Sequence, residues 1–286
     1  MRQGTRAGCI LMALVVGGGL SSGCGDDTVR LTFRPTVGTT SSYRITVETR
    51  TTVRMAGENP RLDELDRAET VLTTHHTILA HDPGAGAKAA SGVRVRVRVE
   101  ERGAADRTFI VRFDRSAQPV AVESESATTI GDQDRTTLGL PEIFPAALSA
   151  PPDRALRTGD QWTIDRAITL PGPSKPTRLV GSGQLIELGI VDDEQVARVA
   201  ATATLHIETK RPATQGLTPV GEVRLEGTQR TTYRATHDLD DGAVRTASST
   251  TTGSYRLLAY PPRATGGGPA SGTMKVSIRS KTHRIR

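Results

Sequence analysis

Cysteine is almost absent from this chain of 286 residues, which contains only Cys9 and Cys24. Cys9 lies in an N-terminal apolar segment that we expect to be removed, so the mature chain keeps Cys24 alone and forms no internal disulfide. The same scarcity leaves no thiol for nucleophilic catalysis. A single cysteine in an exported protein needs another role, and lipidation supplies one.

Aromatic residues are also scarce, with one Trp, four Tyr and four Phe. Removal of Arg2 and Arg6 with the N-terminal segment lowers the formal net charge from +6 to +6 − 2 = +4, and the remaining basic residues are spread along the chain. Nucleic-acid binding requires basic clusters and, for single strands, aromatic rings on which bases stack. The composition therefore argues against a nucleic-acid partner and leaves anionic lipids or glycans as candidates.

No apolar run is long enough to cross a membrane as a helix. The stretch from Ala7 to Leu20 has fourteen residues, whereas a transmembrane helix needs about 20. Its length, the short basic region before it and the Ser-Ser-Gly-Cys sequence that ends at Cys24 predict a lipoprotein signal peptide over 1–23 and a lipid-anchored tether over 24–29. Two alternatives fit the same residues: an ordinary signal peptide cut near Gly23, which gives a secreted protein, and an uncleaved anchor.

β-Branched residues dominate the rest of the chain. Between Val93 and Val99, valines alternate with arginines, which is the period of a strand with one buried face. Similar runs predict about ten to twelve strands, and helical signal is limited to stretches such as Pro60 to Arg67. Strands that follow one another without helices predict an all-β fold of antiparallel sheets. The other predicted strands are Tyr43 to Val53, Thr70 to Leu79, Phe109 to Phe113, Val120 to Val122, Leu179 to Ile190, Gln195 to Ile207, Glu222 to His237, Val244 to Leu258 and Thr273 to Ile285.

Landmark residues recur at a nearly constant distance along the chain. Gly38 and Gly159 are separated by 159 − 38 = 121 residues. Asp114 and Asp238 are separated by 238 − 114 = 124 residues, and the landmarks around each aspartate have identical spacings. A period of this length predicts an internal repeat. The pairs are Gly38 with Gly159, Tyr43 with Trp162, Phe109 with Tyr233, Asp114 with Asp238, and Val120 with Val244.

The repeat predicts two similar antiparallel β units, built as curved sheets or half-barrels within one continuous or bipartite assembly. We expect the first unit over 30–140 and the second over 156–286, joined by a proline-rich linker over 141–155. Trp162 is expected to anchor the core of its unit, in preference to stacking on a ligand.

A resemblance to a known family rests on two of these segments. The path from Leu140-Pro141 to Gly159-Asp160-Gln161-Trp162 resembles the proline-rich stretch and Val-x-x-Gly-Asp-x-Trp motif of uncharacterised bacterial lipoproteins, which are grouped as a domain of unknown function, and the Tyr233 to Val244 hairpin is similar to theirs. The resemblance implies an envelope protein of all-β fold and brings no catalytic residues with it. Gly25 after the cysteine implies, from lipoprotein sorting, the outer membrane facing the periplasm in a Gram-negative cell.

One basic stripe is a candidate binding site. Arg94, Arg96 and Arg98 point to one side of their strand, where they would contact anionic lipid phosphates or acidic glycans. The alternative is a solvated face whose charge is balanced by acidic neighbours. Those neighbours are Glu100, Glu101, Glu123 and Glu125.

A reaction centre is not apparent. Ser182 lacks the Gly-x-Ser-x-Gly spacing of a nucleophile elbow. His75, His76 and His81 cannot meet at one metal from a single strand, because the first two point to opposite faces. The Asp238 to Gly242 segment resembles a calcium loop but lacks the later glutamate, which favours a hairpin turn. We therefore predict no catalytic residue, no metal and no cofactor.

Two functional hypotheses follow. The first is a non-enzymatic, membrane-anchored envelope lipoprotein whose β surface binds a lipid, a glycan or an envelope protein, in the manner of half-barrel carriers and receptors of lipoprotein transport. The second is an envelope hydrolase with dispersed catalytic residues such as Asp114 or Asp238. A large apolar concavity would favour the first, and a cleft with converging carboxylates and a histidine would favour the second.

Overall fold

The computed structural model describes residues 28–56, 64–82, 92–117, 119–124, 149, 151–168, 177–215, 218–260 and 270–285. They form eleven strands in a single antiparallel sheet, which confirms the all-β prediction. The predicted signal peptide, Cys24 and most of the predicted linker lie outside the described residues. The strands are β1 (Thr40–Met55), β2 (Glu64–Asp82), β3 (Gly92–Glu101), β4 (Arg107–Phe113), β5 (Pro119–Ser124), β6 (Gln161–Ile168), β7 (Thr177–Val191), β8 (Glu194–Gln215), β9 (Thr218–Asp238), β10 (Val244–Tyr260) and β11 (Ala270–Ile285).

Each sequence run that predicted a strand lies inside one of these strands. The helical signal from Pro60 to Arg67 is wrong where the structure describes it, because β2 begins at Glu64. Residues 64–67 instead pair with the far end of β1, where Val53 lies opposite Glu64. The ladder to β1 outweighs the weak local preference for helix.

The first and last strands of the chain are neighbours at the middle of the sheet. The strand order is β5-β4-β3-β2-β1-β11-β10-β9-β8-β7-β6. β1 and β11 pair from Ser42 with Ile285 to Met55 with Gly272. The two halves of the chain therefore form one continuous sheet, which is the first of the two assemblies that the sequence left open.

Buried side chains share one face of the sheet, which we call the core face; the opposite side is the solvent face. On β3, for example, Val93, Val95, Val97 and Val99 are at most 3% exposed, while the arginines between them point to solvent. Two apolar clusters line the core face. The first-half cluster contains Tyr43, Ile45, Leu72, Ile78, Val93, Val95, Val97, Val99, Phe109, Val111 and Phe113. The second-half cluster contains Leu31, Leu156, Trp162, Ile164, Leu179, Leu185, Ala197, Val199, Ala201, Ala203, Tyr233, Ala235 and Val244.

Buried hydroxyl groups occupy the core face of the strands between these clusters. Ser249 and Ser280 join β10 to β11 through a hydrogen bond of 2.8 Å between their Oγ atoms. Thr231 and Thr251 join β9 to β10 in the same way, also at 2.8 Å. In each pair one hydroxyl donates and the other accepts, so each has a partner and the cost of burying the seam is reduced.

The first ladder of each half begins in the same way. Gly38 (φ 84°) donates its N–H to the Ile78 carbonyl at 2.9 Å, and Gly159 (φ 92°) donates to the Leu185 carbonyl at 2.7 Å. Directly after each acceptor, the ladder to the next strand contains a bulge of one residue. Both glycines have the positive φ that a residue with a Cβ adopts only with strain.

The later turns each follow an aspartate, and the aromatic pair does not correspond. Asp114 directly follows β4 and Asp238 ends β9, and each accepts hydrogen bonds from the turn that follows. Tyr43, however, lies opposite Thr74, four residues before Ile78, whereas Trp162 lies opposite Gly183, two residues before Leu185. The predicted equivalence of Tyr43 and Trp162 is therefore wrong by two positions, because their distances from the turn glycines differ. Division into two duplicated units stays a prediction.

Trp162 is buried, as predicted, and is 7% exposed. Its Nε1 donates a hydrogen bond of 2.8 Å to the Ser149 carbonyl. Gly183 lies directly across the ladder, and a Cβ at this position would overlap the indole ring. The close approach of ring and backbone therefore requires glycine.

We expect Gly183→Ala to destabilise the protein by about 1–3 kcal/mol, because the added methyl group overpacks a filled site. Chemical denaturation monitored by Trp162 fluorescence measures the change. Gly189→Ala on the same strand is the matched control, since a Cβ there meets nothing nearer than the Glu187 carboxylate at 3.9 Å. Equal effects of the two substitutions would contradict the packing argument.

A second prediction concerns Thr74, which faces the first-half cluster and is fully buried. Within the described part of the chain its Oγ1 has no hydrogen-bond partner. Thr74→Val replaces this hydroxyl with a methyl group of similar shape, so we expect stabilisation by about 1 kcal/mol in denaturation experiments. The adjacent Thr73→Val, on the solvent face, should change stability by less than about 0.5 kcal/mol. A destabilised Thr74→Val protein would show that the hydroxyl is satisfied.

Candidate functional site

The strongest polar constellation lies at one end of the sheet, where β1 begins and β11 ends. Arg284 is the cross-strand partner of Tyr43, so both side chains occupy the core face. The β9–β10 turn lies at the same end of the sheet, where its Asp241 contacts Arg284. The Gly242 N–H donates to the Asp238 carbonyl at 3.0 Å and closes this turn. We call Ser41, Tyr43, Asp238, Asp241 and Arg284 the hairpin-end cluster.

Arg284 holds this cluster together. Its Nη2 donates to Ser41 Oγ at 2.9 Å and to Asp241 Oδ2 at 3.4 Å. Its Nη1 lies 3.8 Å from Asp238 Oδ2. One guanidinium therefore joins the first strand, the last strand and the β9–β10 turn, as its forked donors allow.

The carboxylates of the cluster also support the turn. Asp241 Oδ1 accepts a hydrogen bond of 2.8 Å from the Ala243 N–H, and Asp238 Oδ1 one of 3.4 Å from the Asp240 N–H. These contacts identify the segment as a hairpin turn, as the sequence predicted. Asp114 caps the β4–β5 turn similarly, accepting from the Ser116 N–H at 2.9 Å. The two carboxylates named in the hydrolase hypothesis thus act as turn caps.

The Tyr43 ring of the cluster packs against a second titratable ring, that of His76. The rings of Tyr43 and His76 lie 4.9 Å apart at 54°. Burial, only partly offset by the nearby Arg284 charge, raises the pKa of Tyr43 to about 12. Burial, followed by the neighbouring His75, lowers the pKa of His76 to about 4. Both rings are therefore uncharged at neutral pH, and neither has the pKa near 7 that suits a general acid or base.

A small pocket opens beside these rings. It measures about 40 Å³ and is lined by Phe33, Tyr43, His76, Phe113 and Asp241, among others. Since one water molecule needs about 10–15 Å³ by the same measure, the pocket has room for a few waters and not for a substrate. His76 and Asp241 both line this pocket, but the pocket is too small for a substrate to lie between them.

The segment before β1 crosses this end of the sheet as a strap, which we define as residues 28–35. Val29 and Leu156 form a β-bridge, with N–H to carbonyl distances of 2.9 and 2.8 Å. Further along, Phe33 donates to the Arg115 carbonyl at 2.8 Å and Arg34 to the Asp241 carbonyl at 2.9 Å. The strap therefore connects the segment before β6 to both Asp-capped turns.

The predicted basic stripe lies on the solvent face of β3, as expected from its alternation. Arg98 contacts Asp106 at 2.6 Å and Glu100 at 3.1 Å. Arg94 lies across the ladder from Arg112, and Arg96 lies across from Ile110. Arg98 is thus engaged by acidic neighbours, in line with the solvated-face alternative, and anionic-ligand contact by the stripe stays a prediction.

The predicted histidine positions are also visible. His75 points to the solvent face, where its Nδ1 lies 2.8 Å from Ser42 Oγ and its Nε2 3.4 Å from Glu100. His76 points to the core face, and His81 is exposed at the end of β2. In the described ranges, no three His, Cys, Asp or Glu side chains are grouped so that they could hold a metal.

Sequence reasoning missed Arg284. Its hydrogen-bond partner Ser41 is 243 positions away in the chain, and no local motif marks a single arginine in a strand. Only the pairing of β1 with β11 brings the two residues together. The sequence indicated the acidic Asp238 to Gly242 turn, but it did not indicate that Arg284 would contact this turn.

Comparisons with known proteins add little. A scan of protein-family models finds no family that matches the chain, and a search of curated proteins finds no matching relative. Among solved structures, the chain is similar to a triple mutant of the Rh. blastica porin, with 9% identity and a TM-score of 0.21, over 86% of this chain and 100% of that one. At these values we draw no functional conclusion from the likeness.

Among the residues that the structure describes, no helix is both long and apolar enough to cross a membrane.

The buried rings predict a stability that depends on pH. The pKa of His76 is lowered from 6.5 to about 4, and burial also lowers the pKa of His237. Between pH 6.5 and 4 the unfolded chain therefore binds protons that the folded chain excludes. The contribution of these histidines to the free energy of unfolding is fully present above pH 6.5 and is lost as the pH decreases. The contribution of His76 is at most about 3 kcal/mol.

We expect His76→Phe, which keeps a ring against Tyr43, to flatten this pH dependence. Denaturant unfolding at several pH values between 6.5 and 4 measures the slope. His283→Gln, at an exposed position of β11, should keep the wild-type slope. If His76→Phe also keeps it, the ring is protonated as readily in the folded protein as in the unfolded chain.

Proposed function

We propose that this chain is a lipid-anchored protein of the bacterial cell envelope that acts by binding and not by catalysis. Cys24 carries the lipid, as the N-terminal pattern and the resemblance to uncharacterised envelope lipoproteins imply. In a Gram-negative cell the protein faces the periplasm from the outer membrane. Its partners are the membrane at the anchor and an envelope lipid, glycan or protein at the sheet.

The strap is the observation that carries the anchoring part of this proposal. Val29, which forms the β-bridge with Leu156, is five positions after Cys24, and five residues span at most about 18 Å. From Val29 onward the strap is fixed to Leu156 and to both Asp-capped turns. A short tether that leads directly into a hydrogen-bonded segment suits a domain held close to its lipid.

The non-catalytic part of the proposal is supported by the hairpin-end cluster and the His76 ring beside it. The carboxylates of the cluster are engaged by Arg284 and by turn N–H groups, and the rings of Tyr43 and His76 are neutral at pH 7. The adjoining pocket of about 40 Å³ does not admit a substrate. These features support a structural junction and give the hydrolase alternative no candidate centre among the described residues.

Palmitate labelling tests the anchor. We expect the wild type to incorporate labelled palmitate and to fractionate with membranes, and Cys24→Ser to lose both properties. Cys9→Ser is the matched control and should be labelled normally, because Cys9 lies in the segment that is removed. An unlabelled wild type in the soluble fraction would instead establish the secreted alternative.

A further inference from the structure

The solvent face of the three strands next to β1 has an unusual composition. Between Thr246 and Ser254, β10 presents only hydroxyl side chains there, all of them exposed: Thr246, Ser248, Thr250, Thr252 and Ser254. These side chains are short, so they form a floor. Exposed cations stand on both sides, namely Arg230 and Arg234 on β9 and Lys275, Arg279 and Lys281 on β11. We call this arrangement the hydroxyl furrow.

The strand registers place the cations beside the hydroxyl groups. Ser248 pairs with Arg234 on one side and with Lys281 on the other. Thr250 pairs with Arg279, Thr252 with Arg230, and Ser254 with Lys275. Because neighbouring strands are about 4.8 Å apart, the two cationic rows are separated by about 10 Å.

The furrow lacks the acidic partners that neutralise arginines elsewhere on the sheet. Its solvent-facing positions from Thr228 to Thr236, Thr246 to Ser254 and Lys275 to Lys281 contain no Asp or Glu. Among the described residues, none of its five cations makes an ion pair. Acidic side chains lie at its borders: Glu226 adjoins Thr228 on the same face of β9, and Glu48 on β1 lies opposite Arg279.

Other solvent-face arginines show the contrast. Arg178 contacts Asp165 at 2.6 Å, Arg198 contacts Glu187 at 2.8 Å, and Arg224 contacts Glu222 at 2.7 Å. At these three positions an acidic side chain on the same or the neighbouring strand neutralises the arginine. Within the described ranges, none of the furrow's five cations makes such an ion pair, so the local field is predominantly positive and attracts anions.

We propose that the hydroxyl furrow binds a linear, phosphate-bearing polymer of the cell envelope. Phosphate oxygens accept hydrogen bonds from hydroxyl groups and charge-assisted bonds from Arg and Lys, and the furrow supplies both along its length. A flat bilayer would touch the tips of the cationic rows and leave the floor unused. The floor has no aromatic ring on which a neutral sugar could stack, so phosphate is the group that the side chains match.

This inference names the ligand class of the proposed binding function and rests on the envelope location. The test uses the full-length, processed protein in neutral detergent and fluorescently end-labelled inorganic polyphosphate, with anisotropy as the readout. We expect binding that weakens steeply with salt, since cations on the protein replace counterions on the polymer. Failure of wild-type protein to bind polyphosphate overturns the proposal.

Two sets of variants locate the site. Lys275→Gln, Arg279→Gln and Lys281→Gln combined should weaken binding by about tenfold or more, because several charge-assisted bonds are lost. Arg178→Gln, Arg198→Gln and Arg224→Gln combined remove the same charge from paired positions and should leave the affinity within about twofold. Equal losses would mean that net charge alone attracts the polymer. Thermal unfolding confirms that both variants are folded.

Further experiments distinguish specific binding in the furrow from nonspecific attraction by net charge. Thr250→Val with Thr252→Val keeps every cation and removes two floor hydroxyls, so weaker polyphosphate binding is expected. Heparin, a sulfated glycan, and vesicles containing phosphatidylglycerol are the competing probes. Tighter binding of either probe through the furrow cations would overturn the assignment to a phosphate polymer.

Palmitate labelling of the same preparation distinguishes this inference from the proposed function. If the protein is labelled but does not bind polyphosphate, the lipid anchor is supported and the assignment of the ligand is overturned. An unlabelled protein that binds polyphosphate loses the anchor and keeps the furrow.

Discussion

The ladder between β1 and β11 is the contact on which the rest of the structure depends. It pairs residues 42–55 with residues 272–285 in an unbroken register. This pairing makes one sheet of the two halves and places Arg284 beside Ser41 and the β9–β10 turn. It requires closure of a loop that spans most of the chain, which costs little additional free energy compared with a shorter loop but slows folding.

The composition of the central strands explains why the sheet has two apolar clusters and not one. β9, β10 and β11 are rich in Ser and Thr, and alternation sends these residues to both faces. On the core face the hydroxyls pair with each other, as Ser249 does with Ser280. On the solvent face the same residue types form the floor of the hydroxyl furrow. One compositional bias therefore produces a structural seam and a candidate binding surface.

Local patterns predicted the strands well because alternation depends on neighbouring residues alone. The valines of β3 are buried and its arginines exposed, as their spacing indicated. The matched turns at Gly38 and Gly159 were also visible, because glycine marks a positive φ. The pairing of Tyr43 with Trp162 failed since similar residue types were aligned across unequal spacings. Hydrogen-bond register, which depends on bulges after Ile78 and Leu185, decides that correspondence.

By itself the sequence determined the fold class, the approximate strands and which side chains of each strand are buried, because each of these follows from periodicity within a few residues. The tertiary structure decided which strands are neighbours, since antiparallel strands rich in Thr, Val and Arg present similar edges to many partners. Strand order in turn determined the candidate sites. Arg284 has a role only beside β1 and the Asp238 turn, and the furrow exists only because β9, β10 and β11 lie side by side with their cations in register.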